Sequence, residues 1–379
     1  MYYKIKFLCC FLILFFLQKN STAQDVHFSQ IESSPLLMSP ATAGYLDEAT
    51  DRFTLKYRNQ WSAILPEQSF ETFAATYDGR FCFDNSDNFF GYGLSAMEDQ
   101  VGDPVFKTSQ YQAAFAYHFR LTTGSFLSLG FQSGLLRYRI DPKDFNFDHE
   151  FDGGVGFFNL PNSNDILNDS EKLIWDVGAG ALLYHPDRSW NVGISFQHDV
   201  KRSYFAFTET GIEDNNRVPT RWLVNASFPI SFSLRGKHHH IIPKVIFLLQ
   251  RPHWQVLTGA DFRLNILEGT YHGLLENLTL GIAARASNHP SNSTTFDAGV
   301  VSLNLEISHN LHLGTSYDFT FSSLQNSNRS MGSLEMSMVF LINSEKRNNC
   351  IDCFKFDRKK KGYKPVSYTH LTLPTICSV

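Results

Sequence analysis

The sequence predicts an all-β fold, a transmembrane antiparallel β-barrel of about 14 strands with an extended N-terminal periplasmic arm. Three observations predict it. Apolar and polar residues alternate with a period of two from Arg52 to Phe340, the alternating segments are commonly 10 to 13 residues long, and aromatic residues stand near segment ends. Soluble strands average about 5–6 residues, whereas transmembrane strands need about 9–11.

The first element is a signal peptide, residues 1–23. Lys4 and Lys6 form a basic start, residues 7–17 are an unbroken apolar stretch, and Ser21-Thr22-Ala23 supplies a small-residue cleavage site. The alternative, an N-terminal membrane anchor, needs about 20 apolar residues. We therefore predict export through the Sec pathway with cleavage between Ala23 and Gln24.

Residues 24–50 form the predicted arm. Pro35 and Pro40 favour extended backbone and prevent a helix through this segment. The residues leave two roles open, because an apolar arm of this kind either enters the barrel lumen as a plug or binds a partner.

The predicted barrel occupies residues 51–343. In one segment, for example, Trp190, Val192, Ile194 and Phe196 alternate with Asn191, Gly193, Ser195 and Gln197, which gives one apolar and one polar face. The predicted strands are 52–59, 68–77, 89–97, 106–118, 125–138, 173–185, 189–199, 218–230, 239–250, 253–263, 274–286, 295–306, 309–319 and 331–342.

Connection lengths predict the orientation of this barrel. With the N-terminus in the periplasm, the two longest connections (139–172 and 200–217) lie outside the cell, and tight turns at 185–188 and 308–309 lie in the periplasm. The turn at Arg251-Pro252 is very short for an external connection, so this hairpin is the weakest part of the topology.

Two segments follow the barrel. Residues 344–365 are basic and polar, and we interpret them as a periplasmic tail that contains Cys350 and Cys353. From about Val366 the chain reads VSYTHLTLPTICSV, which looks like translated sequencing-adapter read-through, so residues 366–379 are excluded from the fold prediction.

The sequence predicts no enzyme. It contains no nucleophile motif and no catalytic pairing of acidic residues, so we expect no catalytic residues and no cofactor. The run His238-His239-His240 lacks a carboxylate or cysteine at ligand spacing, so we expect no metal site. A net charge of −4 gives no reason to expect nucleic acid as a partner.

Several short motifs are distinctive. Near the start of the predicted mature chain stand Gln24, Asp25, Phe28, Ser29 and Gln30, then Pro35, Leu36, Pro40, Ala41, Ala43 and Gly44, and on the first strand Tyr57, Arg58, Asn59, Gln60 and Trp61. Near the other end, Tyr317-Asp318 precedes Gly332-Ser333-Leu334-Glu335-Met336.

Together these motifs resemble the PorP/SprF family of outer-membrane proteins, which belong to the type IX secretion and gliding motility systems of Bacteroidota. Departures from the family pattern are Ser34 and Ser39, where the family has Asn before each proline, and Leu334, where it has His. The motif residues are the candidate partner-binding site: Phe28, Ser29, Gln30, Pro35, Pro40, Gly44, Arg58, Asn59, Gln60, Trp61, Tyr317 and Asp318. For Trp61 alone, an anchor at the membrane interface is the simpler interpretation.

The resemblance implies a non-enzymatic component that helps export or anchor a surface adhesin with a C-terminal secretion signal. It also implies contact with outer-membrane lipid and with a periplasmic secretion ring or a peptidoglycan-binding lipoprotein. The alternative is a porin or transporter for small solutes, which the same barrel permits if its lumen is open. Conductance in a planar bilayer discriminates between the two functions.

Overall fold

The computed structural model describes residues 25–46, 49–62, 69–83, 86–101, 106–121, 124–140, 151–152, 156–157, 171–186, 188–198, 218–234, 237–266, 275–288, 294–308, 310–321 and 331–342. The predicted signal peptide, the tail and the stretch from 366 lie outside the described residues. Among the residues described, none of the helices has the length and apolarity to cross a membrane.

The chain contains seventeen strands in its described part, together with two short 3-10 helices. The helices are η1 (Pro35–Leu37) and η2 (Pro40–Thr42). The strands are β1 (Asp51–Gln60), β2 (Phe70–Cys82), β3 (Phe89–Val101), β4 (Phe106–Arg120), β5 (Phe126–Ile140), β6 (Phe151–Asp152), β7 (Gly156–Phe157), β8 (Glu171–His185), β9 (Trp190–Gln197), β10 (Arg221–Ser227), β11 (Ile230–Leu234), β12 (Lys237–Gln250), β13 (His253–Asn265), β14 (Asn277–Asn288), β15 (Thr294–Ser308), β16 (Leu311–Thr320) and β17 (Met331–Ile342).

The strands close into a 14-stranded antiparallel barrel, so the predicted fold is confirmed. Neighbouring strands pair in chain order, β1 pairs with β17, and β10 pairs with β12 to complete the ring. β10 and β11 both pair with β12 and form one broken wall strand, because Pro229 between them has no N–H to donate. The pairing of β6 with β7 is a separate two-stranded sheet that the sequence did not predict.

Side chains point alternately outwards and into the lumen. Large apolar side chains such as Leu94, Phe131 and Ile282 are more than half exposed on the outer face. Polar side chains such as Thr54 and Gln132 are fully buried on the inner face. This inversion of the usual soluble pattern is expected when lipid surrounds the outer face.

The two ends of the barrel differ. β5, β9 and β12 finish at one end, which we call the loop end because the connections 141–170 and 198–220 leave from it. At the opposite end, which we call the turn end, the start of β1 pairs with the finish of β17 (Asp51↔Ile342). The two-residue turn Arg251-Pro252 joins β12 to β13 at the loop end, so the least favourable predicted hairpin is confirmed.

Candidate functional site

Residues 25–46 lie inside the barrel, and we call them the plug segment. Its residues contact inward-facing groups of eleven wall strands: β1, β2, β3, β4, β5, β8, β9, β12, β14, β16 and β17. These strands are distributed around the closed ring. A segment that reaches all of them through their inner faces must occupy the lumen.

Of the two roles that the sequence left open for this segment, these contacts favour entry into the lumen. The chain folds back into η1 and η2 inside the barrel, with Pro35 and Pro40 at the first position of each turn. Proline lacks only an N–H that a first-turn residue leaves unused, and its fixed φ suits that position. Ser39 also accepts a hydrogen bond from the Ala41 N–H at 3.3 Å, and Thr42 Oγ1 donates to the Ser39 carbonyl at 2.7 Å.

The first half of the plug segment is held by a buried carboxylate on the last strand. The backbone N–H groups of Ser29 and Gln30 donate to the two oxygens of Glu335, at 2.6 Å and 3.0 Å. Arg58 on β1, facing Glu335 across the β1–β17 pairing, donates to the same carboxylate. Glu335 is fully buried, so this carboxylate joins the plug segment to the seam that closes the barrel.

A second carboxylate continues this network. Asp318 on β16 accepts a hydrogen bond from Ser29 Oγ at 2.8 Å and another from Arg285 on β14 at 2.8 Å. Arg58 lies 3.4 Å from the same oxygen. Arg285 also donates to Asp297 at 2.9 Å.

Lys56 completes the set on β1. Its ammonium donates to the Gln30 carbonyl and lies 4.3 Å from the centre of the Phe28 ring. We call the whole group the central cluster: Phe28, Ser29, Gln30, Lys56, Arg58, Arg285, Asp297, Asp318 and Glu335.

The charges of the central cluster balance. Three cations (Lys56, Arg58, Arg285) face three carboxylates (Asp297, Asp318, Glu335). Buried ions are tolerated only when they are paired and hydrogen-bonded, and removal of one partner from such a pair costs about 3–5 kcal/mol. The plug segment supplies N–H, carbonyl and hydroxyl groups that the paired wall charges use.

Further along the plug segment, Glu32 binds the opposite wall. Lys244 on β12 lies 2.8 Å from the Glu32 carboxylate and 2.9 Å from Asp261 on β13. The Lys244 side chain is almost completely buried, so its charge relies on both carboxylates.

The amino-terminal end of the plug segment is held separately. Asp25 Oδ2 lies 2.8 Å from His198 Nε2, and His198 Nδ1 lies 3.2 Å from Asp176 on β8. Gln250 at the end of β12 accepts from the Asp25 N–H and donates to its carboxylate, both at 2.8 Å. We call Asp25, Asp176, His198 and Gln250 the N-terminal clamp.

His198 and Asp25 lie outside the strands, and their pKa values reflect this pairing. Burial alone would lower the pKa of His198, but the carboxylates of Asp25 and Asp176 raise it to about 10. Burial alone would raise the pKa of Asp25, but His198, Arg221 and Gln250 lower it to about 2. The clamp is therefore an ion pair at neutral pH.

Small residues in the wall allow the second half of the plug segment to approach closely. A Cβ on Gly91 would lie 1.9 Å from the Ala43 carbonyl oxygen, and a Cβ on Gly130 would lie 2.3 Å from the Ala41 nitrogen. Gly44 adopts a φ of +75°, which favours glycine. Gly91 and Gly93 on β3 therefore allow close packing of the plug segment.

The chain matches a family profile described as "Type IX secretion system membrane protein PorP/SprF" over residues 20–340. The chain belongs to the PorP/SprF family. A closed barrel with an apolar outer face is the form in which strands cross an outer membrane. The protein is thus an outer-membrane β-barrel component of type IX secretion.

Other comparisons add less. No curated protein matches the chain. Similar solved structures include BamA from Haemophilus ducreyi lacking POTRA domains 1-3, with 9% identity, 78% of this chain and 71% of that chain covered and a TM-score of 0.39. The CymD monoaromatic hydrocarbon channel has 10% identity, 86% and 95% coverage and a TM-score of 0.42.

Within this PorP/SprF chain, the structure brings together part of the sequence-predicted site. Phe28, Ser29, Gln30, Arg58 and Asp318 all belong to the central cluster. The Gln60 side chain lies beside it, because Arg58 reaches its Oε1 at 3.4 Å. Pro35, Pro40 and Gly44 lie further along the same plug segment.

Three predicted site residues lie away from the cluster. Asn59 points to the outer side and donates to Tyr57 and Glu71, both at 3.1 Å. The Trp61 ring packs against Phe70 with ring centres 5.0 Å apart. The Tyr317 ring packs against Phe319 at 4.8 Å.

Sequence reasoning missed four members of the central cluster, namely Lys56, Arg285, Asp297 and Glu335. Each is an ionisable residue on the polar face of a transmembrane strand, and that position is itself a signal of a functional or structural partner. The clamp residues His198 and Asp176 were missed as well. Among the described residues, no group of three or more His, Cys, Asp or Glu side chains is arranged to hold a metal ion.

Proposed function

We propose that this PorP/SprF-family protein helps to export or anchor a surface adhesin with a C-terminal secretion signal, and that it links the outer membrane to periplasmic partners of the secretion ring or the cell wall. It acts without enzymatic chemistry. The observation that carries the proposal is the plug segment, which fills the lumen of a barrel from a secretion family.

A filled lumen favours recognition over conduction. The buried charges of the central cluster pair with one another and with the plug segment, which supports a closed lumen. Such a barrel then acts through the surfaces at its two ends. At the loop end these are the connections 141–170 and 198–220, which are long enough to bind an exported protein.

Localisation follows the same proposal. The Sec pathway exports the chain, signal peptidase cleaves after Ala23, and the barrel inserts with its turn end in the periplasm. The source is a gliding or secreting member of the Bacteroidota. At the turn end, the short turns and the tail, residues 344–365, face the periplasmic partners.

Deletion of the gene tests this function. We expect loss of one co-encoded large adhesin from the surface proteome and its return with the wild-type gene. A second complementing gene lacks residues 201–215 of the β9–β10 connection, and we expect it to give a folded barrel without surface display. An unchanged surface proteome and unchanged motility in the deletion strain would contradict the proposal.

Planar-bilayer conductance addresses transport separately. The wild-type barrel is expected to be silent because the plug segment occupies its lumen. Steady conductance that depends on the solute would support a transporter instead.

A further inference from the structure

The wall strand formed by β10 and β11 extends beyond its neighbour β9 at the turn end. β9 begins at Trp190, and the next residue, Asn191, pairs with Ser227, the last residue of β10. β11 begins three residues after Ser227, so it lies past the start of β9. In the described part of the chain, β11 therefore pairs with β12 along one edge, and no strand pairs with its other edge.

This open edge lies outside the membrane-spanning band. The nearest part of the neighbouring wall is the turn 186–189 between β8 and β9, whose residues include Asp187, Arg188 and Ser189. A turn of this polarity lies in water, and β11 lies beyond it. The unpaired backbone groups of a sheet edge are also not tolerated in hydrocarbon. At about 3.3 Å per residue, β11 presents about 13 Å of open edge to the solvent.

The register identifies the backbone groups that face the open edge. The Phe228 N–H donates to the carbonyl of Pro243, its opposite residue, at 3.1 Å, and the same register continues through β11. In an antiparallel ladder, residues that bond to the partner strand alternate with residues that do not. The N–H and C=O groups of Ser231 and Ser233 therefore point away from β12, towards the open edge.

β11 lacks the features that usually block a sheet edge. Its sequence is ISFSL, with no charged residue and no proline from Ile230 to Leu234. Natural sheet edges are commonly protected by lysine or proline within the edge strand. Ile230 and Leu234 are 58% and 56% exposed, so apolar side chains stand on one face beside the free backbone groups. An edge of this kind binds an extended segment whose side chains alternate in the same way.

The hairpin that carries this edge is basic. Residues 230–242 contain Arg235, Lys237 and three histidines but no Asp or Glu, in a chain whose net charge is −4. Lys237 donates to the Ile266 carbonyl, which is a neutral group, so this bond does not neutralise the ammonium charge. A segment with acidic residues next to its apolar positions complements this hairpin.

Two occupants from the protein itself fit less well. The tail, residues 344–365, carries eight Lys and Arg against three Asp and Glu, so the basic hairpin repels it. A second copy that paired its β11 antiparallel to this one would be inverted in the membrane, because β11 continues a membrane-spanning strand. A separate protein on the same side of the membrane as the turn end remains.

We propose that β11 is a docking edge for a periplasmic partner, which adds one extended acidic strand with alternating apolar residues antiparallel to β11. The periplasmic location rests on the proposed function, and the inference names the contact by which the barrel binds a partner there. The backbone groups of Ser231 and Ser233 supply affinity through main-chain hydrogen bonds, and the apolar face and the basic charge supply specificity.

A synthetic strand tests the edge directly. The probe is the fluorescent peptide EEVTVTVEE, and its binding to the purified full-length barrel in nanodiscs is measured by fluorescence anisotropy. We expect saturable binding of this peptide and about tenfold weaker binding of EEVTPTVEE, because proline removes a main-chain donor. Equal binding of the two peptides, or no binding of either, would overturn the docking edge. Equal binding of KKVTVTVKK and EEVTVTVEE would overturn the acidic character of the partner.

Two substitutions at one position localise the binding to β11. Ser233→Pro removes the N–H that faces the open edge and leaves the bonds to β12 in place, whereas Ser233→Val keeps this N–H. We expect EEVTVTVEE to bind Ser233→Pro about tenfold more weakly than the wild type and to bind Ser233→Val as the wild type. Heat-modifiable gel mobility checks that both variants fold. Equal binding to two folded variants would overturn the assignment to β11, and if Ser233→Pro does not fold, the peptide comparison on the wild type decides.

The location of the edge has its own test. Ser233→Cys is treated with a membrane-impermeant maleimide on intact cells and after permeabilisation of the outer membrane. We expect labelling only after permeabilisation, and labelling of intact cells would overturn a periplasmic partner. The deletion experiment measures display of the adhesin and is independent of these readouts, so a failure of the docking edge is distinguishable from a failure of the proposed function.

Discussion

Glu335→Gln removes one charge from the central cluster and keeps the shape of the side chain. In the wild type, three cations face three carboxylates; in the variant, three cations face two carboxylates. The glutamine keeps one carbonyl oxygen as an acceptor, but its NH₂ group faces an N–H donor where the carboxylate oxygen had accepted a hydrogen bond. The plug segment loses at least one of its two N–H bonds, from Ser29 or Gln30.

The size of the effect follows from burial. Glu335 is 0% exposed and the Arg58 side chain is 4% exposed, so solvent does not replace the lost charge. Breaking a buried pair costs about 3–5 kcal/mol, and the nearby Asp318 reduces this towards the lower value. About 3 kcal/mol raises the population of the displaced plug about a hundredfold.

Planar-bilayer recording measures that population directly. We expect the fraction of time spent open to be about a hundred times larger in Glu335→Gln than in the wild-type barrel, whose openings are too rare to give steady conductance. The control is Glu98→Gln, because Glu98 is 53% exposed and lies 3.9 Å from Lys107 on the surface. Exposed pairs contribute about 0–1 kcal/mol, so the control is expected to behave as the wild type. Equal open fractions in both variants would refute the role assigned to the central cluster.

Three further predictions follow. Gly91→Val places carbon atoms against the plug backbone and is expected to cost about 1–3 kcal/mol or more, measured as a smaller folded fraction by heat-modifiable gel mobility. Phe131→Arg on the outer face is expected to cost about 2–4 kcal/mol in bilayer refolding and Leu173→Arg, near the loop end, about 0–1; equal costs would contradict a lipid-facing band. The N-terminal clamp stabilises the fold fully below the ordinary histidine pKa of 6.5, and this stabilisation is lost as the pH rises through the His198 pKa of about 10. Protease cleavage of the β9–β10 connection is therefore expected to increase between pH 8 and 10.5 in the wild type. No such increase is expected in Asp25→Asn.

The wall of the barrel was predictable from sequence because alternation is a local signal. Each predicted strand has a counterpart within a few residues, for example 253–263 against His253–Asn265. The break between β10 and β11 was not predicted. Pro229 is a sequence signal for it, but the apolar pattern continues across the proline. β6 and β7 were not predicted because two residues are too few to show an alternating pattern.

The site was only partly predictable. Period-two alternation places the side chains of Arg58 and Asn59 on opposite faces of β1, so only one of them can lie in the lumen. In the structure Arg58 contacts Glu335 in the lumen, and Asn59 contacts Glu71 on the outer side. The partners of Arg58 come from β16 and β17, more than 250 residues away. The motifs near the end of the chain contain both partners, but no local pattern pairs them with Arg58. The path of the plug segment was not predictable from local sequence either, because it depends on contacts with glycines and charged residues that come from many different wall strands.

A covalently locked plug tests most directly whether this barrel works as a closed scaffold. Ser34 Oγ on the plug segment lies 3.3 Å from Thr76 Oγ1 on β2, close enough for cysteines at both positions to form a disulfide after small adjustment. The double variant Ser34→Cys/Thr76→Cys is introduced into the deletion strain, and display of the exported adhesin is measured with and without reductant. We expect wild-type display under both conditions, because the plug stays in place during function. Loss of display in the oxidised form with recovery on reduction would contradict a closed scaffold and show that the plug must move.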